Sequence, residues 1–234
     1  TQQNKEFQTA LYINCLGKLS GKSISGNSEK NLWVGIKYHL KYELDKETIS
    51  LHNFKNGYAG ISAVEKDLVC FCYLVKTEEL KKHGNIEKLE ENILKRNPRI
   101  KNILENAEFI GKSAVISNFS FDKKTPFKNG LIYAGDSAGL IVPLCGNGMS
   151  MALHGSKLAF ESIHLFLQQK ISRADMEQRY RQQWQQQFAQ RLRTGRMIQR
   201  FFGKSWLTNV FVQSFRTFPF LSAPLIKQTH GEPF

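Results

Sequence analysis

Apolar positions change their period several times along the chain, and each change marks an element. Residues 10–16 form a short, mostly apolar run closed by Gly17, which predicts a buried strand. The Gly-, Ser- and Lys-rich stretch that follows, to residue 30, reads as loop. Residues 32–42, 48–54, 58–64 and 68–75 are strand-like, separated by turn residues at Asp45-Lys46, Lys55-Asn56-Gly57 and Glu65-Lys66-Asp67. Together they predict an antiparallel meander over 32–75. From Thr77 the period becomes helical. Leu80, Ile86, Leu89, Ile93 and Leu94 line the apolar side of one charged helix that runs to Asn97, where Pro98 marks its boundary. A short helix over 100–107, a strand over 114–121 and a short strand over 131–134 come next. Residues 148–169 carry a long apolar helix. A last helix starts near Ser172, which stands at capping-box spacing from Asp175. Along it Met176, Tyr180, Trp184, Phe188 and Leu192 recur every four residues, the stripe of a packed face. No internal repeat is visible.

Composition narrows the class. With 234 residues, 41% hydrophobic and 23% charged, the chain can build a core, and disorder throughout is excluded. Its 33 Lys and Arg against 20 Asp and Glu give +13. From residue 170 onward three Lys and eight Arg face three acids, so +8 of that charge lies in the tail. There Phe201, Phe202, Trp206, Phe211, Phe215, Phe218 and Phe220 stand among Arg196, Arg200, Lys204 and Arg216. Basic and aromatic residues mixed in this way suit an anionic membrane surface, and suit equally a basic cap over a substrate pocket. Nucleic acid is not expected, because no recognisable binding module accompanies the charge. No run of 18 apolar residues and no signal-type leader is present. Cys15, Cys70, Cys72 and Cys145 are too few for a disulfide framework and read as buried thiols in a reducing compartment. Cys70 and Cys72 share one strand face but lack partner ligands at metal-binding spacing, so no metal is expected. The expectation from these features is a cytoplasmic protein, with a peripheral position on the inner membrane face through the tail.

Two segments resemble nucleotide-binding loops. Gly17-Lys-Leu-Ser-Gly-Lys-Ser23 ends like a phosphate loop, but it has three residues between its glycines where four are needed to wrap a phosphate. The second is Ala134-Gly-Asp-Ser-Ala-Gly-Leu-Ile-Val-Pro-Leu-Cys-Gly-Asn-Gly-Met149. A strand delivers Asp136 to an exposed edge, and glycines on either side of Ser137-Ala138 let the backbone pass close to a bulky ligand. An ionised Asp136 is a strong acceptor for a pair of sugar or ribityl hydroxyls. Pro143 stiffens the next segment. Gly146-Asn-Gly148 opens a helix whose N–H groups are uncovered, and such a terminus carries about half a positive charge.

This segment resembles the second FAD-binding motif of flavoproteins of the para-hydroxybenzoate hydroxylase fold, and is most similar to the geranylgeranyl reductase-like branch. The resemblance implies an α+β / α/β architecture: an antiparallel substrate-domain sheet, the C-terminal half of an FAD-binding domain and a helical tail. It implies FAD as cofactor, with NAD(P)H as electron donor. It implies that Asp136 binds the ribityl chain, with Gly135 and Ala138 allowing its approach and Ser137 and Gly139 in the same cofactor-binding set. Pro143, Gly146 and Asn147 would lie along the isoalloxazine, and the N–H groups of Gly148 and Met149 would face the flavin N1–C2=O edge. Residues 11–20 resemble the family's strand ending in Gly-Ala-Asp-Gly-x-x-Ser, with Gly17 and Ser20 in place and Leu16 where that pattern has Asp. Asn56-Gly57-Tyr58-Ala59 resembles its active-site Gly-Tyr element, making Tyr58 the substrate-side candidate.

The family's opening strand with Gly-x-Gly-x-x-Gly is absent from these 234 residues. The expectation is a C-terminal portion lacking roughly 130–150 residues, the size of a dinucleotide-binding unit. On that reading residues 1–30 are a returning strand and loop of the FAD domain and 31–125 the substrate domain. Residues 126–170 are the flavin-facing strand, loop and helix, and 171–234 the tail. The implied function is flavin-dependent reduction of a C=C bond, or monooxygenation, of a hydrophobic, isoprenoid- or lipid-like molecule. The alternative is a membrane-surface or lipid-binding protein without catalysis. No side chain stands out as acid or base. Tyr58 and His154 are candidates, His154 reading as a core residue of its apolar helix.

Overall fold

The computed structural model describes residues 8–17, 32–65 and 67–230. They form two compact units.

The first unit takes residues 8–17, 121–197 and 223–230. Its sheet has the order β1-β8-β7. Strand β1 (Ile13–Asn14) runs parallel to β8 (Leu131–Tyr133), and β7 (Phe127–Lys128) pairs antiparallel to β8. The β7–β8 hairpin turns at Asn129-Gly130, both at positive φ (53° and 78°), the conformation of a two-residue type I′ turn. The Asn-Gly pair is the signal for this hairpin, which the periodicity reading passed over. The buried strand expected over 10–16 is corrected: only two residues are strand, and Tyr12, Ile13 and Leu16 are exposed. An apolar run reports burial on both faces, whereas β1 has one partner strand, β8, among the described residues. Of the Gly17–Ser23 stretch only Gly17 is described, so the phosphate-loop comparison and Ser20 lie outside the described residues.

Three helices complete this unit: α4 (Gly148–Leu167), α5 (Arg173–Gln199) and α7 (Ser222–His230). The capping box forms as expected. Ser172 Oγ accepts from the Asp175 N–H at 3.1 Å, and the Asp175 carboxylate accepts from the Ser172 N–H at 3.3 Å. Met176, Tyr180, Trp184, Phe188 and Leu192 are all buried. Burying each such side chain contributes about 1.5–3 kcal/mol, so the stripe anchors the helix. Tyr180 also donates to the Tyr133 carbonyl at 2.7 Å, and Arg173 to the carbonyls of Ala10 and Gly130, both at 2.9 Å. These bonds tie α5 to the small sheet.

The second unit takes residues 32–120 and 198–222. Its strands are β2 (Trp33–Lys41), β3 (Ile49–Phe54), β4 (Gly57–Ala63), β5 (Leu68–Lys76) and β6 (Glu108–Phe119), all antiparallel, in the order β3-β4-β5-β2-β6. The expected meander is corrected in one respect. Strands β3, β4 and β5 follow one another, but β2 crosses to the far side of β5 and becomes a central strand. Alternation along a strand tells which residues share a face, not which strand lies beside it. Val34, Ile36 and Leu40 of β2 join Phe71, Tyr73 and Val75 of β5 on the covered face, packed against Leu89, Leu94 and Ile100. Strand β6 starts six residues earlier than its pattern suggested, because as an edge strand it is exposed almost throughout and alternates weakly.

The single helix expected over 77–97 is broken. Helix α1 (Thr77–His83) ends at Gly84 with φ +86°, and Asn85 caps α2 (Ile86–Asn92) by accepting from the Lys88 N–H at 2.9 Å. A 3-10 turn (Leu94–Arg96) leads to α3 (Pro98–Asn106). Tyr38 and Tyr73 donate to one oxygen of Glu90 at 2.8 and 2.7 Å, and burial lifts that carboxyl above its usual range despite them. Helix α6 (Ser205–Thr217) follows a loop pinned to the β3–β4 turn: the Gly203 N–H donates to Asn53 at 2.7 Å, and its carbonyl accepts from the Asn56 N–H at 3.0 Å.

The cysteines are corrected as a group. Cys145 alone is buried, and burial pushes its thiol up to about 11. Cys15 and Cys72 are exposed and Cys70 is half-buried.

Candidate functional site

Strand β8 ends at Tyr133, and the chain turns at once into a short 3-10 segment, Gly135–Ser137. Gly135 takes φ +60°, which a side chain would strain, and this turn brings Asp136 out half-exposed at the strand end. Two long-range contacts fix it. The Asp136 carbonyl accepts from Lys124 Nζ at 2.9 Å. Burial lowers the Lys124 ammonium from its usual value, with the Asp136 charge opposing that shift. Next to it Ser137 is buried, and its Oγ accepts from the Gly17 N–H at 2.8 Å and lies 3.3 Å from Asn14 Oδ1. So the loop after β8 is locked to the residues that leave β1.

The segment then runs inward. Ala138, Leu140, Ile141 and Val142 are buried, and Gly139 lies under α5. A Cβ on Gly139 would stand 2.8 Å from both Trp184 and Leu192, and one on Gly195 3.0 Å from Val142. Helix and loop approach this closely because both contact points lack side chains. Pro143–Cys145 form a second 3-10 turn, with Pro143 exposed, and Gly146 closes it at φ +64°.

Helix α4 begins immediately after. No side chain caps its N-terminus, and its first turn carries no acid. The natural capping residue, Asn147, is buried and turned away: its amide donates to the carbonyls of Thr229 and His230 in α7, both at 3.1 Å. Gly148 is half-buried and Met149 is 86% exposed. Nothing stands within 4 Å of where a Gly146 Cβ would be, and only Ile141 approaches that of Gly148, at 3.8 Å. The result is an open ledge of backbone N–H groups at the positive end of a 20-residue helix, in the same segment as the carboxylate of Asp136.

The remaining candidates lie elsewhere. Tyr58 belongs to the second unit, where it is buried on β4 opposite Asn53 and packs edge-on against Phe202 at 5.8 Å. His154 is buried in α4, edge-on to Phe188 at 5.3 Å. Burial, then the charges of Arg191 and Lys157, hold its imidazole below the usual range, which favours a neutral packed ring. Among the described residues no group of three or more His, Cys, Asp or Glu could hold a metal ion. Lys124, Asn14 and Gly195 escaped the sequence reading. Their partners are distant in sequence, and none carries a local signal.

Chemically, the segment offers a carboxylate that can accept from hydroxyl groups, an uncrowded approach over Gly146 and Gly148, and uncapped N–H donors suited to an anion. No protein-family model matches the chain. An uncharacterised protein of Methanocaldococcus jannaschii is 27% identical over 121 residues, 52% of this chain and 30% of that protein. Among solved structures, the flavin-dependent brominase Bmp2 superposes with a TM-score of 0.72 at 19% identity, over 94% of this chain and 56% of the brominase. A geranylgeranyl bacteriochlorophyll reductase-like protein of Thermoplasma acidophilum gives 0.61 at 16% identity, over 79% of this chain and 48% of that one. The fold expected from the Gly-Asp segment is therefore the one found: this chain shares the mixed α+β fold of a flavin-dependent brominase and a geranylgeranyl reductase-like protein, and spans about half the length of each.

Proposed function

We propose that the protein is an FAD-dependent oxidoreductase acting on a hydrophobic, isoprenoid- or lipid-like substrate. The observation that carries this reading is the uncapped N-terminus of α4 following Asp136 in one loop. When bound, FAD supplies the redox chemistry, and the protein supplies position and charge. Asp136 would hold the ribityl chain by accepting from its hydroxyls. Lys124 holds the backbone of Asp136 in place, and Ser137 holds the loop to Gly17. The N–H groups of Gly148 and Met149 would hold the N1–C2=O edge, where the fixed dipoles of the helix start would favour negative charge. Gly139 and Gly195 let α5 clamp the loop from behind. One structural neighbour is named as a brominase and the other as resembling a reductase, which supports flavin chemistry without choosing between oxygenation and C=C reduction. NAD(P)H is the proposed electron donor and Tyr58 the proposed substrate contact. Riboflavin added to the purified chain tests the cofactor site. A shifted flavin absorption band that is lost in Asp136→Ala supports it, and an unperturbed band at millimolar riboflavin removes it.

A second reading concerns where the protein works, and the exposed aromatic residues of its tail favour it. No helix among the described residues is long and apolar enough to cross a membrane. Yet Trp206, Phe218 and Phe220 are 67%, 50% and 71% exposed, and no acidic residue occurs from 178 to 231. We propose that this face of α6 and the turn after it rests on anionic lipid at the inner membrane surface, with Arg200, Lys204 and Arg216 at the headgroups. Cosedimentation with phosphatidylserine vesicles should exceed that with phosphatidylcholine vesicles and fall as salt rises. Equal pelleting with both removes the proposal.

A further inference from the structure

Three cavities among the described residues differ in charge. One along α6, from Asn209 to Phe218, has no charged residue in its walls. Another, at one end of the five-stranded sheet, sets Lys41 and Lys46 against Glu43 and Asp67. The third lies in the first unit, between the segment that leads into β7 and the C-terminal half of α5, and holds about 480 Å³. Lys123 and Lys124 stand on one wall, Arg193 and Arg196 on the other, with Asp122 the one acid. Such crowding has a cost, because arginines three apart on a helix repel one another. Helix α5 carries no acid after Glu177 to relieve it. Lys124 is half-buried, and the Asp136 carbonyl takes one of its three donors. Burial holds its ammonium below the usual value, so an anion within reach would also favour its charge.

We propose that this pocket binds an organic diphosphate, with Lys123, Lys124, Arg193 and Arg196 holding the phosphate oxygens. The planar guanidinium of each arginine can meet two phosphate oxygens at once, and each lysine adds a compact charge. Four cations less one acid leave +3 in the lining, which suits a diphosphate better than a single carboxylate. Thr125 and Gln185 add uncharged hydrogen-bonding groups for the remaining oxygens. Pro126, Trp184, Ala189 and Leu192 supply apolar wall, against which the rest of the ligand rests. The volume falls within the roughly 300–1,000 Å³ of small-molecule sites, more than an inorganic phosphate needs. Diphosphate occurs both in a pyridine dinucleotide and in an isoprenyl diphosphate, so the apolar wall decides between them.

Inorganic pyrophosphate is the first probe, because its binding does not depend on whether the chain holds flavin. Calorimetric titration of the purified chain, without divalent metal and at about 0.15 M salt, should show one saturable site. Sulfate at matched ionic strength should bind about tenfold more weakly. Lys123→Gln combined with Arg193→Gln should weaken pyrophosphate about tenfold or more. Both residues are exposed, so the fold should survive, and an unshifted melting curve checks it. Lys170→Gln combined with Arg179→Gln removes the same charge from exposed positions outside the pocket. Salt screens such distant charges, so affinity should stay within about twofold. No saturable binding, or equal losses in the two double variants, overturns the proposal, leaving only general attraction to a basic protein. NADPH and farnesyl diphosphate then distinguish the sources. The one that displaces pyrophosphate and binds about tenfold tighter identifies the organic body. If neither gains over pyrophosphate, the apolar wall takes no ligand and the organic diphosphate is excluded.

Discussion

Helices α4 and α5 follow one another in the first unit, 20 and 27 residues long, and they begin in opposite ways. At the start of α5, Ser172 and Asp175 satisfy each other's N–H groups, so that end of the helix offers little to a ligand. At the start of α4 the equivalent residue, Asn147, spends its amide on α7 and leaves the first turn uncapped. A missing cap leaves a helix about 1 kcal/mol less stable, a deficit that the buried stripe of α5 easily offsets. The difference separates the two tasks. The helix that holds the unit together closes its donors, and the helix proposed to face the flavin leaves them open.

The largest expected effect falls on the ligand side. Asp136→Ala should weaken FAD binding by about 2–4 kcal/mol, some 30- to 1,000-fold, because a charged acceptor is withdrawn from hydroxyls that lose their partner. Its thermal midpoint should move less than its affinity, since the Lys124 bond to the Asp136 carbonyl survives the substitution and only the charge that favours the buried ammonium is lost. Fluorescence titration beside a melting curve separates the two, and unchanged affinity would take Asp136 out of the site.

How much of this could be read in the sequence depends on how local each requirement is. Gly135, Asp136, Pro143 and Gly148 were legible because a close turn, a carboxylate at a strand end and an open helix start each demand particular residue types within a few positions. The α5 cap and stripe were legible for the same reason. The bonds from Lys124 to Asp136, Gly17 to Ser137 and Asn147 to α7 join residues 12, 120 and 82–83 apart and leave no periodic trace. Strand β2 illustrates a different limit, since its alternation marks Val34 and Ile36 as inward but cannot say that β5 and β6 are its neighbours. At Gly84-Asn85 the break was written in the residues, and the helical period of Ile86, Leu89 and Ile93 just beyond it concealed it.

The next two effects fall on the structural side. Gly139→Ala would place a methyl 2.8 Å from Trp184 and Leu192, and overpacking of this kind should lower stability by about 1–3 kcal/mol. Because Trp184 forms part of that contact, its fluorescence should change as well. A neutral result would mean that α5 does not press on the loop. Ser172→Ala should cost about 1 kcal/mol by opening the α5 cap, with flavin affinity unaltered. If Ser172→Ala weakened flavin binding as much as Asp136→Ala does, the division between the two helices would fail.

The smallest effect is the most direct, because it turns α4 into a helix of the other kind. Ser150 is exposed in the first turn of α4, at the third helical position, where a glutamate can reach back to the N–H of the residue before the helix. Ser150→Glu should therefore stabilise α4 by about 0.3–1 kcal/mol through that bond and the helix dipole. For a chain of this size such a gain raises the melting temperature by roughly 1–4 °C. The same carboxylate would stand beside the N–H groups proposed for the flavin edge, so FAD affinity should fall while stability rises. Ser150→Gln can make the bond without the charge and should lose less affinity, which isolates the electrostatic part. Opposite signs for stability and affinity mark a terminus kept open for an anion. A variant that gains both would identify the missing cap as incidental.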